Sequence, residues 1–201
     1  MRNTGPKTRL ARRIGEPLRD KDSKYLVKRN YPPGMHGQSR RRLSELGVQL
    51  QEKQKAKWIY GLAERQFRRL VEKAMTKKGR TGDLLLASLE LRLDNVVYRA
   101  LFVPSRAEAR QLINHGLIVV NGRTVNIPSF QVRAGDTIQL RQDEALQKRV
   151  QSNLEMLKDR PFPAWLELNH ETVELKILRL PEKADAGLPL EESQIVELYS
   201  K

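Results

Sequence analysis

The chain has 201 residues, no cysteine, 38 Lys and Arg against 24 Asp and Glu, and a formal net charge of +14. That length suits one or two domains with a buried core, although aromatic residues make up only 5%. Zero cysteines exclude disulfides and thiol chemistry; no apolar run approaches the roughly 18–20 residues of a membrane helix; and the basic excess points to a polyanionic partner.

The charge is unevenly placed. Residues 1–42 carry 13 basic and 3 acidic groups, whereas residues 142–201 carry 8 and 12. A phosphate-facing surface is therefore expected from the first 141 residues. Residues 1–42 have few large apolar side chains and several Gly and Pro, too little to form a core. They read as an extended basic arm, mobile until RNA orders it. Arg9, Arg12, Arg13, Lys28, Arg29, Arg40, Arg41 and Arg42 are expected on phosphates. The Arg-rich start also has the composition of a mitochondrial presequence, but Gly5, Pro6 and Gly15 and the lack of a sustained apolar face weigh against one. Residues 31–37, YPPGMHG, form a rigid turn. His36 within it has no partner at metal-ligand spacing and reads as a hydrogen-bonding group.

Residues 44–60 read as a helix capped by Ser44, with Leu46, Leu50 and Trp58 among its apolar residues. After Gly61, residues 62–77 form a second helix with Phe67, Leu70, Val71 and Ala74 inward and Arg65, Gln66, Arg68 and Arg69 outward. Residues 81–91 are a short, mostly apolar helix. Residues 43–91 thus form a helical domain.

The stretch over residues 92–140 organises the rest. Leu93, Val96, Val97, Ala100 and Leu101 form one helical stripe, with Arg92, Asn95 and Arg99 on another face. Pro104 breaks the pattern. Ser105 and Glu108 make a capping box that starts a second helix. There Ala109, Leu112 and Ile113 point inward, and Arg106 and Arg110 share an outward face where they contribute little to folding. Gly116 ends it. Residues 117–120 and 123–125 are strands joined by Asn121-Gly122, the pair that favours a type I′ turn. Gly135-Asp136 turns into a strand over residues 137–140. His115 follows the second helix, where it either meets RNA or caps the helix C-terminus.

Residues 143–158 read as a helix burying Val150, Leu154 and Leu157. Residues 165–168 and 173–178 read as strands, with His170 a surface residue in their turn. Residues 179–190 read as a loop and residues 191–199 as a closing helix.

Enzymatic machinery is missing. His36, His115 and His170 are scattered, and neither a phosphate-cradling G-x-x-x-x-G-K-[ST] nor a G-x-G-x-x-G is present. No metal or cofactor is expected, and elemental analysis of the folded protein should find no structural zinc.

Leu89, Glu90, Arg92, Leu93, Arg99, Ser105, Ala109, Arg110, Leu112 and Ile113, followed by Val120-Asn121-Gly122, resemble the small RNA-binding module named after the fourth protein of the small ribosomal subunit. RNA-modifying enzymes and synthetases carry that module too. The flanks are more specific: Pro32-Pro33-Gly34 with His36-Gly37, LSELGVQLQEKQKAKWIYGLAERQFRRL, RLDNVVYRALF and the ending IVELYSK resemble the bacterial-type S-four family across essentially the whole chain.

That resemblance implies an α+β fold: a helical domain with an inserted RNA-binding module of two helices plus antiparallel strands, and an extended basic N-terminal arm. The divisions are 1–42, the arm; 43–91, the helical domain, completed by the tail 185–201; and 92–184, the module and its β extension. It implies a non-catalytic constituent of the small ribosomal subunit that binds a multi-helix junction in the 5′ part of the ribosomal RNA, nucleates assembly and influences accuracy. It places Arg40, Arg41 and Arg42 near the messenger RNA entry path and the neighbouring S-five protein alongside. It raises Arg65, Arg68 and Arg69 to RNA contacts. In the module, Arg92, Arg99, Arg106, Arg110 and Arg123 are to grip phosphates as planar forks, with Asn95, Ser105, His115, Asn121 and Gly122 beside them. Some relatives fold the arm around zinc held by four cysteines; Thr8 and Ala11 stand where one Cys-x-x-Cys pair would be.

Two other classes compete. An RNA-modifying enzyme would need a catalytic domain for which residues 142–201 are too few. A DNA-binding repressor would use the two helices of residues 93–114 as a helix-turn-helix, but the hairpin and basic arm suit RNA shape better.

Overall fold

A computed structural model describes residues 5–18, 22–39, 43–169, 172–188 and 190–200. Arg40, Arg41, Arg42 and His170 lie outside the described residues. The helices run α1 (Lys7–Ile14), α2 (Asp22–Lys28), α3 (Glu45–Tyr60), α4 (Glu64–Met75), α5 (Thr81–Glu90), α6 (Leu93–Arg99), α7 (Arg106–Asn114), α8 (Glu144–Met156), α9 (Lys183–Ala186) and α10 (Glu192–Ser200). The strands are β1 (Ile118–Val120), β2 (Arg123–Thr124), β3 (Thr137–Leu140), β4 (Leu166–Asn169) and β5 (Glu174–Ile177). Backbone packing divides the chain into two compact units, residues 1–82 with 189–201, and residues 83–188.

In the first unit the basic N-terminal segment folds further than its composition alone implies. The Thr8 hydroxyl donates to the buried Asp22 carboxylate at 2.9 Å, joining α1 to α2. Ala11 and Ile14 are buried, and Lys55 of α3 holds Glu16, just past α1, at 2.6 Å. The segment has no core of its own, but two small apolar side chains can be buried against a neighbouring helix. Thr8 and Ala11 thus act through a hydrogen bond and through burial. Among the described residues no group of three or more potential ligands could hold a metal ion. Arg12 donates to the Tyr31 and Pro32 carbonyls at 3.1 and 3.5 Å and lies over the Tyr31 ring at 4.9 Å. That contact pins the 31–37 turn.

The Ser44 side chain accepts from the Gly47 N–H at 3.2 Å, starting α3 as expected. The helix buries Gln49, Ala56 and Tyr60, which leaves Leu46 53% and Leu50 40% exposed. Leu46 and Leu50 therefore lie largely outside the core that α3 buries. α4 buries Phe67, Val71 and Ala74. The C-terminal helix α10 packs along α3. The Tyr199 hydroxyl donates to Glu64 at 3.0 Å, as does Lys53 at 3.0 Å, and Lys57 completes the set.

The second unit holds one continuous core from α6, α7, the sheet and α8, with Trp165, Phe102, Leu93, Ile113, Ile118, Ile138 and Leu175 fully buried. The strands form one antiparallel sheet in the order β2-β1-β3-β5-β4. α6 ends at Arg99 rather than running to Leu101, because Leu101 adopts φ 63° and turns Phe102 and Val103 into the core. The Asn121-Gly122 turn has φ 48° and 77°, with Val120 opposite Arg123, the geometry of a type I′ hairpin. The capping box at α7 is half realised: Ser105 accepts from the Glu108 N–H at 3.3 Å, while the Glu108 carboxylate pairs with Arg149 of α8. Residues 179–190, expected as a loop, contain α9, which is capped reciprocally by Glu182 and Asp185.

Two consequences can be measured. Burial pushes the Glu64 carboxyl up, but hydrogen bonds from Lys57, Lys53 and Tyr199 outweigh it and hold the carboxyl at about 2, against 4.5 ordinarily. A depressed carboxylate stabilises the fold above its unfolded pKa and stops doing so as pH falls through its folded value. Glu64→Gln should therefore cost about 0.5–1 kcal/mol at neutral pH, as half-exposed pairs do, and the difference should close between pH 4.5 and about 2 in urea titrations. Separately, a Cβ at Gly37 would stand 1.9 Å from the Pro32 carbonyl oxygen. Gly37→Ala should open the turn at a cost of about 1–3 kcal/mol, seen as faster proteolysis within residues 30–39.

Candidate nucleic-acid interface

Two carboxylates organise the surface formed by α6 and α7. Asp94, in the first turn of α6, accepts from Arg92 Nε at 3.0 Å and Nη2 at 2.9 Å, a two-point fork. It also accepts from Arg110 Nε of α7 at 2.6 Å. Glu90, the last residue of α5, accepts from Arg99 Nε and Nη2, both at 2.9 Å. Glu90 also takes a bond from Asn95 Nδ2 at 2.8 Å, and the far side of that amide, Oδ1, accepts from Arg106 Nε at 2.8 Å. Arg106 then lies over the Tyr98 ring at 4.3 Å.

The local reasons are simple. Asp94 falls where a helix N-terminus favours an acid. Residues 91–94 are pinned by the loop that follows the hairpin: Leu93 N–H donates to the Phe130 carbonyl at 2.9 Å and Val132 N–H to the Leu91 carbonyl at 3.0 Å. The α6–α7 packing then brings residues sixteen apart, Asp94 and Arg110, into contact. Four guanidiniums surround two carboxylates, so the cluster carries a net excess of two positive charges when all six are ionised.

This arrangement revises several sequence expectations. Arg106 and Arg110 are not freely exposed on an outward face; the Arg110 side chain is only 12% exposed. Arg92 and Asn95 are 4% and 1% exposed. Both are turned inward onto carboxylates, so as they stand they support the surface rather than form it. Periodicity grouped these arginines but could not show that Glu90 and Asp94 lie among them.

The other candidates fall into separate groups. Asn121 projects at the hairpin turn, but its Nδ2 donates to Asp136 at 2.8 Å and its Oδ1 accepts from Thr137 N–H at 2.9 Å. It ties the hairpin to the next turn. Gly122 has open space beyond it, and Arg123 and His115 are exposed. Ser105 caps α7. In the first unit, Arg9 and Arg13 are exposed and Arg12 is held in the turn contact. Arg65, Arg68 and Arg69 are exposed on α4, with Arg68 paired to Glu72 at 2.8 Å. Sequence reasoning missed Glu90 and Asp94 as organisers, and also Arg160, whose guanidinium lies 5.8 Å from the Tyr98 ring. An acid at the first turn of a helix bounded by Arg92 and Arg99 was the available signal for Asp94; nothing local marked Arg160.

Comparison with known proteins gives the family. The model of the ribosomal protein S4/S9 N-terminal domain matches residues 2–90, and the S4 domain model matches residues 91–138. The chain is similar to the small ribosomal subunit protein uS4 of Acetivibrio thermocellus, 48% identical over 206 residues, covering 100% of this chain and 99% of the relative. It is 50% identical over 201 residues to that of Parabacteroides distasonis and 51% over 201 residues to that of Bacteroides thetaiotaomicron, again with 100% and 99% coverage.

Removing a partner from a buried ion pair is costly because the remaining charge stays desolvated. Asp94→Ala, which strands Arg92 and Arg110, should lower stability by about 3–5 kcal/mol in urea denaturation. Arg110→Glu, which sets a like charge against Asp94, should also unfold the protein more readily. Arg123→Ala, at an exposed site, should stay within about 0.5 kcal/mol of the parent.

Proposed function

The chain belongs to the uS4 family of small-ribosomal-subunit proteins, and from that premise we propose that it binds a multi-helix junction in the 5′ part of the small-subunit ribosomal RNA, nucleates assembly there and influences decoding accuracy. It is a structural, RNA-binding constituent of the subunit and not an enzyme. The observation that carries the proposal is the α6–α7 surface, where four arginines are held in fixed orientation around two buried carboxylates. Guanidiniums already oriented lose little freedom when they meet a phosphate, whose geometry their planar forks match. Arg99, Arg106 and Arg110 are the proposed grips, with Arg92 and Asn95 behind them. Arg123 and His115 extend the surface toward the hairpin. Arg9, Arg13, Arg65, Arg68 and Arg69 are proposed as backbone contacts from the first unit.

The resemblance further supports contact with the neighbouring S-five protein, and with messenger RNA through residues 40–42. The helices act as a rigid frame that holds several RNA backbones at set angles, so the mechanism is positioning without bond chemistry. No helix among the described residues is long and apolar enough to cross a membrane.

The test is a footprint of the full-length protein on isolated ribosomal RNA, joined to a salt series. Protection should cluster at one multi-helix junction. Arg65→Ala, Arg69→Ala and Arg123→Ala should each weaken binding across RNA sequences. Each should also flatten the slope of log affinity against log salt by roughly 0.7–0.9 for every phosphate that is no longer neutralised. Unchanged slopes in all three would remove these arginines from the interface. Protection scattered over the RNA would overturn the junction assignment.

A further inference from the structure

α3 is buried through Gln49, Ala56 and Tyr60, and its opposite side carries a second stripe. Gly47, Leu50, Gln54 and Trp58 recur there at helical spacing. With Leu43, Arg13 and the start of α4 they line a groove of about 690 Å³. That volume lies within the roughly 300–1,000 Å³ of pockets that hold small organic groups. Leu43 is 56% exposed and Leu50 40%. The apolar floor is therefore open to solvent.

The walls are chemically mixed. Trp58 is partly exposed and presents an indole ring. Gln51 and Gln54 line the groove, and among the described residues no side-chain hydrogen bond engages either amide, so each offers a donor and an acceptor. Arg13 is exposed at one edge, with no carboxylate partner among the described residues. It stands on a helix whose sequence, KTRLARRI, has four basic residues and no acidic one. Lys57, by contrast, is neutralised by Glu64.

An apolar protein side chain entering here would use the floor alone and engage neither the amides nor the guanidinium. A nucleotide answers every feature: a planar base for the indole, base-edge donors and acceptors for the amides, and a phosphate for Arg13. We propose that this groove takes a single unstacked nucleotide of the ribosomal RNA, its base against Trp58 and its phosphate on Arg13. The proposal rests on the RNA-binding reading above and adds a place where a base, rather than backbone, is held.

The chain has two tryptophans, so Trp165→Phe leaves Trp58 as the only reporter in the full-length protein. Titration with the small-subunit ribosomal RNA should quench Trp58 emission. Leu50→Glu puts a charge on the exposed floor without touching the core; it should cut affinity about tenfold and abolish the quench. Trp58→Phe should keep most of the affinity and Trp58→Ala should lose it, with thermal melts confirming that each variant is folded. RNA bound at parental affinity by Leu50→Glu, with Trp58 emission unmoved, would overturn the proposal while leaving the RNA-binding reading intact. Emission that responds only to added small-subunit proteins would assign the groove to a protein and also overturn it. Failure of the parent to bind ribosomal RNA at all would be a different result, bringing down the broader reading itself.

Discussion

The second unit depends on the engagement of the buried Asp94 carboxylate. That carboxylate is almost fully buried yet holds Arg92 through two bonds and Arg110 through a third. A buried carboxylate is tolerable only when its lone pairs are engaged and its charge is matched. Arg92 lies just ahead of α6 and Arg110 lies on α7, so satisfying Asp94 requires those two segments to be in register. Glu90 imposes a second constraint of the same kind, reaching Arg99 directly and Arg106 through the Asn95 amide. The cluster is therefore a set of linked conditions on the backbone, and its by-product is a row of oriented guanidiniums.

The sheet holds that cluster in place. The loop leaving the hairpin pairs with residues 91–94 through backbone bonds, so the start of α6 is fastened before any side chain is considered. The hairpin is in turn fastened to the next turn by the Asn121 side chain. Asn at this position thus serves twice. It accepts the positive φ of the turn, and its amide spans to Asp136 and Thr137. A residue chosen for local turn chemistry also sets a contact sixteen residues away.

The first unit uses the same economy with fewer apolar groups. The hydroxyl–carboxylate bond from Thr8 to Asp22, the Lys55–Glu16 pair and the burial of Ala11 and Ile14 give structure to a segment that composition alone describes as an arm. The C-terminal helix closes onto α3, where Glu64 gathers two lysines and the Tyr199 hydroxyl. Gly82 matters here because a Cβ would stand 2.4 Å from the Glu192 side chain, so the end of the chain approaches a position that only glycine leaves open.

By itself the sequence determined what is local. The two module helices were legible from apolar spacing at Leu93, Val96, Val97 and at Ala109, Leu112, Ile113. The hairpin was legible from Asn121-Gly122, and the cap of α3 from Ser44. Each follows from backbone dihedrals or side-chain periodicity within a few residues. The basic excess likewise announced a polyanion. The tertiary structure alone decided which charges are free. Arg106 and Arg110 read as outward residues because helical periodicity separates an apolar face from a polar one, and it cannot say whether the polar face meets water or a carboxylate. Arg110 meets Asp94 across sixteen residues, and Arg99 meets Glu90 across nine. In the same way Leu50 read only as one of the apolar residues of its helix, and the packing of α3 left it open. Pairing and burial depend on which elements become neighbours, and that is a property of the folded chain.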